Sequence, residues 1–425
     1  MEPKNISCRQ KNKETQPRDT VAADADVLVI GAGASGLMSA LLCARGGKKV
    51  LVLEKEIMPA RKILVTGNGR CNFTNKNVSP QKYFGGKNIV ENALDIFGLK
   101  QCLDLFSSLG LLYSEEEGRY FPLTYKAASA ANCLINAAEL ASAKILLKTE
   151  AVKISGKDNS YEVLCQDGRV LRAGNIILAC GSCAYPQTGG SLKGYALAQA
   201  LGHKIIAPSP ALCALDLKEK AVSRLAGLRA LVRATLLDQS GGEIKSEEGE
   251  VIFGSRGISG NNILTLSAYA QAGCKITLDF LPVFGEEDLK KYLKERAKTC
   301  GQMQLKDFFC GILADNLFNL LADFLGLRKN SLFCELSAAN FDRIVTTIKR
   351  WPFTVEGLRP WQQCAAARGG VDTQEIKLTF ESRLKTGLYI TGELLNIDGA
   401  CGGYNLHFAW ASAYCAARDI LKKRG

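Results

Sequence analysis

Histidine is nearly missing from this chain of 425 residues, which holds two, His203 and His407. That scarcity excludes a histidine-built metal centre, and no group of His and Cys has metal-ligand spacing, so no metal is expected. No Ser-His or Cys-His nucleophilic arrangement can be assembled either. Long apolar runs are absent too, none reaching the roughly 20 residues that cross a bilayer, so no membrane partner is expected. The first 25 residues scatter Lys4, Arg9, Lys11, Lys13 and Arg18 among polar residues, with no apolar segment before Ala22. This excludes a secretory signal and reads as a mobile extension.

What is present is ordinary for a packed protein: 47% hydrophobic and 23% charged residues, over a length that predicts two or three domains. The 16 cysteines are dispersed and several, such as Cys43 and Cys415, sit in apolar contexts. That pattern fits reduced thiols in the cytoplasm better than a disulfide framework. The net charge of +12 serves solubility, or the attraction of an anionic cofactor, substrate or nucleic acid. Its lysines and arginines form no dense block outside the tail, so a nucleic-acid groove is not indicated. Oligomeric state is not legible.

The chain is organised around Asp26 to Asn75. Val27 to Ile30 is an all-apolar run, as in a strand covered on both faces of a parallel sheet. Gly31, Gly33 and Gly36 then supply GxGxxG. The first glycine allows the tight turn, the second lets backbone approach a pyrophosphate, and the third lets the next helix pack closely. Ala34 and Ser35 open that helix, whose free N–H groups and positive dipole end favour an anion. Lys49 to Leu53 is the next strand, closed by Glu54, whose carboxylate can accept both ribose hydroxyls. An acid there argues against a 2′-phosphate, favouring FAD or NAD over NADP without separating the two. Next comes ARKILVTGNGRCNFTN, Ala60 to Asn75, a loop suited to wrapping a polar group. Lys55, Arg61, Lys62 and Arg70 offer positive charge, and Gly67 and Gly69 let main-chain N–H groups reach the ligand.

Residues 88–112 read as one helix with Leu94, Phe97, Leu103, Leu105 and Leu109 on its apolar face, and Lys126 to Ala143 as another. Ile145 to Leu147, Tyr161 to Cys165 and Val170 to Ala173 read as a small antiparallel meander, followed by an apolar strand from Ile176 to Ala179. Residues 207–283 carry short β-type runs, and 286–350 read helical between Pro282 and Pro352. Both look inserted, because the last unit of the nucleotide domain follows them: a strand at Gly387 to Ile390, then GELLNIDGACGGYN and a closing helix. There Glu393 can hold a ribitol or ribose hydroxyl, and a helix beginning after Gly402 and Gly403 aims its positive end at an anionic group. The expected boundaries are 1–25 for the extension, 26–204 and 356–425 for the nucleotide domain, 205–284 for a β-rich insert and 285–355 for a helical one.

With those segments in place, the chain resembles the bacterial HI0933-like family of FAD-dependent oxidoreductases. The resemblance spans roughly Asp26 to Asp419 and rests on GxGxxG, TGNGRCNFTN (66–75), GRYFP (118–122), YPQTG (185–189), FGSRGISG (253–260) and GELLNIDGACGGYN (392–405). It implies an α/β fold: a Rossmann-like FAD domain of the two-dinucleotide-binding type, with an inserted β-barrel-like domain and a small helical domain. It also implies FAD contacts from Gly31, Gly33, Gly36, Glu54, Arg70, Cys71, Asn72, Gly392, Glu393, Gly403 and Asn405. The chain departs from the family pattern at Leu192-Lys193-Gly194, Asn396 and His407.

A bound flavin carries the hydride chemistry, so the protein needs to supply orientation, electrostatics and a proton donor. Tyr404 and His407 are the candidate donors, while His203 is expected as a surface cap at a helix end. Cys180 and Cys183 form a CxxC, the spacing of a redox disulfide, but the resembled family places another small residue at Cys180. The family includes a bile-acid reductase, which implies NAD(P)H-driven reduction of a C=C bond conjugated to a ketone in a 3-oxo steroid or bile acid, free or as a coenzyme A thioester. NAD(P)H would dock on a surface made partly by the inserts, since no second GxGxxG exists. The rival expectations are an FAD amine oxidase using oxygen and a flavin-containing RNA-modifying or RNA-binding protein.

Overall fold

A computed structural model describes residues 24–423, so the expected amino-terminal extension lies, but for its last two residues, outside the described part. The centre is a seven-stranded sheet. Ala25–Ile30 lies between Val50–Leu53 and Val170–Leu178, parallel to both. Its inner positions Val27, Leu28 and Val29 are fully buried, as the apolar run predicts for a strand covered on both faces. Lys144–Leu146 adds a parallel edge strand beside Val50–Leu53. The long strand Val170–Leu178 is shared: residues 170–173 pair antiparallel with the preceding strand, and 176–178 pair parallel with Leu388–Ile390. The last strand of the domain is thus recruited from beyond the whole insert.

Two sequence expectations are corrected here. The antiparallel meander consists of Ala151–Lys157, Ser160–Cys165 and the first half of Val170–Leu178, whereas residue 145 belongs to the parallel edge. Ala151–Lys157 escaped notice because it buries only Ala151 and Ile154 and its register shifts between Ala151 and Lys153, which blurs the alternation that marks a half-buried strand. The single helix expected over 88–112 is two, Lys87–Ile96 and Leu99–Ser108. Phe97 leaves the helical conformation to bury its ring, and Gly98 begins the second helix in an extended conformation.

The insert contains a closed six-stranded antiparallel barrel, Leu215–Leu217, Arg229–Leu237, Glu243–Phe253, Gly257–Ser259, Lys275–Asp279 and Trp351–Leu358. Four helices, Glu286–Cys300, Leu305–Phe309, Asp315–Leu325 and Ala338–Lys349, fall between its last two strands. Pro352 therefore sits within a barrel strand, in an exposed position. Barrel and helices share one apolar core, in which Val232, Ile276 and Leu278 join Phe309, Leu321 and Ile348. Two antiparallel strands, Ile205–Ala211 and Ala366–Val371, carry the chain out of the nucleotide domain and back. Among the described residues no helix is long and apolar enough to cross a membrane, and no His, Cys, Asp and Glu group could hold a metal ion.

Candidate active site

A cavity of about 410 Å³ runs along the carboxyl ends of the parallel strands, where open α/β sheets bind ligands. Its floor is main chain. Gly31 takes φ +103°, and a Cβ there would meet the Ala179 carbonyl oxygen at 2.5 Å; one on Gly36 would meet the Gly31 oxygen at 1.9 Å. Gly36 therefore does not line the cavity but seats the helix Ala34–Arg45 on the strand. Gly33 faces open space, with nothing within 4 Å of the place a Cβ would take. The helix has no side-chain cap and no acidic residue in its first turn, which leaves its N–H groups at Ala34 and Ser35 turned to the cavity.

Glu54 is nearly buried and both of its oxygens are already oriented. Oε2 accepts from the Ala32 N–H at 2.8 Å and Oε1 from the Glu56 N–H at 2.9 Å. These bonds leave each oxygen a lone pair for a hydroxyl donor. On the opposite wall Lys62 pairs with Glu393, which also accepts from the Ser182 hydroxyl at 3.1 Å. Arg61 pairs with Glu56 and donates to the Gln187 carbonyl at 2.7 Å, while Lys55 reaches Ser191 at 3.4 Å. Arg70 lies over the Phe121 ring, 4.6 Å from its centroid.

The far end is the start of the closing helix, Tyr404–Lys422. It too lacks a side-chain cap or an early acid. Gly403 at φ +94° packs against Asn72, where a Cβ would meet Oδ1 at 2.6 Å. The Asn405 amide bridges Gly399, accepting from its N–H and donating to its carbonyl at 2.9 Å each, and so fixes the turn that contains Gly402. Asn72 lines the cavity 8% exposed, with its Oδ1 lacking any partner. An orphaned buried acceptor costs about 1–3 kcal/mol unless a ligand donor completes it.

These features fit FAD: open helix ends for a diphosphate, an oriented carboxylate for ribose hydroxyls, and an unsatisfied acceptor for a ring N–H. The residues that would hold it are Gly33, Ala34, Ser35, Glu54, Asn72 and Glu393, with Lys62 and the 402–405 turn beside them.

Other expected residues support the walls without lining them. Cys71 is buried at φ +60°, its N–H donating to the Thr66 carbonyl, and burial pushes its thiol up to about 12. Gly69 shapes the same loop at φ +82°. Gly392 donates its N–H to the Ser412 hydroxyl, and a Cβ on it would meet the Ser35 hydroxyl at 2.6 Å.

The structure corrects the expectations for both histidines. His407 is fully buried away from the cavity, with Nδ1 2.7 Å from the Thr74 hydroxyl and Nε2 3.1 Å from the Phe97 carbonyl. The carbonyl only accepts, so Nε2 carries the proton and Nδ1 accepts from Thr74. Burial lowers the His407 pKa to about 4, and both nitrogens are engaged, so it packs the helix rather than donating to a substrate. His203 is no surface cap: it is 2% exposed, held between Glu375 and Ser382 at 2.9 Å each. The Cys180 and Cys183 thiols are free, and Cys180 donates to the Ile30 carbonyl at 3.6 Å.

Tyr404 lines a second cavity of about 210 Å³ between the nucleotide domain and the barrel, together with Tyr83, Phe84, Lys245, Tyr269 and Arg368. Leu212, Asn261, Ala400 and Cys401 border both cavities. Arg368 is wedged between the Phe84 and Tyr269 rings and makes paired 3.0 Å bonds to Asp398. Burial raises the Asp398 pKa against that guanidinium. Sequence reasoning missed Arg368, Ser182, Leu212, Asn261 and Arg119, whose guanidinium faces the Asn261 amide. Signals existed for Asn261 in the adjoining FGSRGISG and for Arg119 within GRYFP; for the others spacing carried none.

The chain matches known proteins over nearly its whole length. A 3-dehydro-bile acid delta(4,6)-reductase of Clostridium scindens is 34% identical over 408 residues, covering 93% of this chain and 98% of the relative. A ribosomal RNA dihydrouridine synthase of Haemophilus influenzae is 30% identical over 403 residues, with the same shares of 93% and 98%. Among solved structures, a 3-ketosteroid-delta4-(5alpha)-dehydrogenase from Rhodococcus jostii RHA1 shares the fold, with TM-score 0.51 at 14% identity, covering 95% of this chain and 99% of that one. The family model described as HI0933-like protein Rossmann domain matches residues 25–419. The chain therefore belongs to the HI0933-like family, and its cavity lies in a Rossmann-type FAD domain interrupted by a closed barrel and helices.

Proposed function

We propose that the protein is an FAD-dependent oxidoreductase that reduces a C=C bond conjugated to a carbonyl, with a 3-oxo bile acid or related steroid as its substrate. The observation that carries this reading is the adjacency of the two cavities, which share Leu212, Asn261, Ala400 and Cys401 as lining, so that the dinucleotide cradle stands beside a space walled by both the nucleotide domain and the barrel. FAD held by Gly33, Ala34, Ser35, Glu54, Asn72 and Glu393 would supply hydride chemistry to such a substrate. The chain's part is to hold the carbonyl and deliver a proton to the α-carbon. Tyr404, on the wall of the smaller cavity with burial raising its pKa, stays protonated at neutral pH and suits hydrogen-bond donation to the carbonyl oxygen as charge gathers there. Electrons come from NAD(P)H in this reading, and the net charge of +12 favours an anionic form such as a coenzyme A thioester.

A second substrate is supported by the dihydrouridine synthase relative and the same positive charge. The 5,6 double bond of uracil is also conjugated to a carbonyl, so the same hydride and proton delivery would make dihydrouridine in ribosomal RNA. Product analysis separates the two. With NADH or NADPH, the steroid reading expects loss of the ultraviolet band of a 3-oxo-4-ene bile acid or its coenzyme A thioester, and no dihydrouridine in added ribosomal RNA. Dihydrouridine without steroid turnover would transfer the assignment to RNA. Substrate-dependent peroxide from an amine, without NAD(P)H, would move it to an amine oxidase.

A further inference from the structure

The two connections between the nucleotide domain and the insert run antiparallel, with Ala211 opposite Ala366. The Ala365 N–H donates to the Leu212 carbonyl at 3.1 Å, extending that pairing by one step. The next facing pair is Cys213 and Cys364. The chain bends at Leu212, φ +51°, so the two cysteines stand at the end of the paired strands rather than within the ladder. The two thiols are near enough for each to shift the pKa of the other. Both cysteines are fully buried, and their neighbours Leu212 and Ala365 line the cofactor cavity.

We propose that Cys213 and Cys364 are a reversible disulfide site that staples the two strands at the base of the insert. The pair is asymmetric, with Cys213 the readier nucleophile. The neighbouring Cys364 lowers the Cys213 pKa, helped by Ser267 and the Arg359 charge, while the same proximity and burial push the Cys364 thiol up. The Cys364 sulfur lies 3.1 and 3.2 Å from the Arg359 and Pro360 carbonyl oxygens, which accept its single proton between them. The Cys213 thiolate attacks a low-molecular-weight disulfide, forming a mixed disulfide and expelling one thiolate. Cys364 then attacks the Cys213 sulfur and expels the second thiolate, which takes up the Cys364 proton. The balance is two protein thiols oxidised and one small disulfide reduced to two thiols. Because the sulfurs are covered, exchange requires the two strands to part locally, and the product closes a loop that contains the whole barrel and its helices.

The test equilibrates the holoenzyme in glutathione disulfide and glutathione at graded ratios, quenches with acid, alkylates under denaturing conditions and maps the peptides by mass spectrometry. The expected result is a linked Cys213–Cys364 peptide that accumulates as two thiols are lost, reverses with dithiothreitol, and raises Tm. C364S should instead leave glutathione on Cys213, and C213S should abolish the link. Free, alkylated Cys213 and Cys364 in wild-type protein whose exposed Cys310 and Cys334 carry glutathione would overturn the proposal, as would a link from Cys364 to Cys183.

Discussion

The nucleotide domain and the insert make their sides of the active site from different materials. On the nucleotide side main chain sets the frame, through the open ends of two helices and a glycine turn so tight that a Cβ on Gly36 would stand 1.9 Å from the Gly31 oxygen, and a few side chains such as Glu54 and Asn72 are fixed upon it. On the insert side the contacts are isolated side chains, Asn261 and Leu264, on the helix Asn261–Ser267, whose Ile263 and Leu266 belong to the barrel core. A backbone cradle tolerates little variation, because its geometry is its chemistry. A side-chain wall can be rebuilt residue by residue, which suits a surface that chooses among substrates.

Substitutions sharpen this contrast. The largest effect belongs to Gly36→Val, which must push the helix off the strand: flavin affinity should fall at least about 100-fold, or ~2.7 kcal/mol, read as flavin lost on desalting. Retained stoichiometric flavin would break the distinction. Leu278→Ala, in the barrel core and fully buried, should cost about 2–5 kcal/mol of insert stability in urea denaturation while the folded protein keeps its flavin. Parallel loss of flavin would mean the two regions do not act separately.

His407 tests how far the closing helix depends on neutral packing. Its folded pKa of about 4 lies below the unfolded value of about 6.5. The unfolded chain therefore takes up a proton first, so the stabilisation is present above about pH 6.5 and is lost as pH falls towards 4, by about 3 kcal/mol in all. His407→Gln should flatten that part of the stability-pH curve; an unchanged slope would show that other groups govern it. The smallest effect is Glu54→Gln, which keeps one acceptor and should weaken flavin binding about tenfold, ~1.4 kcal/mol, in a flavin titration of the apoprotein.

Legibility followed the same division. Gly31, Gly33, Glu54 and the helix ends could be read from the sequence because their spacing along the chain is the site. The carboxylate of Glu393 was found with them, but its partner Ser182 was not, since nothing in the 178–203 stretch marks that hydroxyl. Arg368 and Asp398, thirty residues apart, are joined only once the returning strand lies against the 398–405 turn. The closed barrel was visible as β-rich runs, yet its closing strand Trp351–Leu358 lies beyond four helices, and strand pairing over such a distance leaves no local pattern. His407 misled for a related reason: its place one turn into the closing helix is near the site, and only tertiary packing decides that the ring points to Thr74 and Phe97.

The measurement that bears most directly on the central claim is anaerobic stopped-flow absorbance at the flavin band. The purified protein is reduced with NADH or NADPH and then mixed with a 3-oxo-4-ene bile acid or its coenzyme A thioester. The account predicts a yellow protein that the nicotinamide bleaches, and recovery of the oxidised spectrum in step with loss of the enone. A protein purified without flavin and unable to take it up, or a reduced flavin that no conjugated carbonyl compound, steroid or uridine, reoxidises, would contradict it.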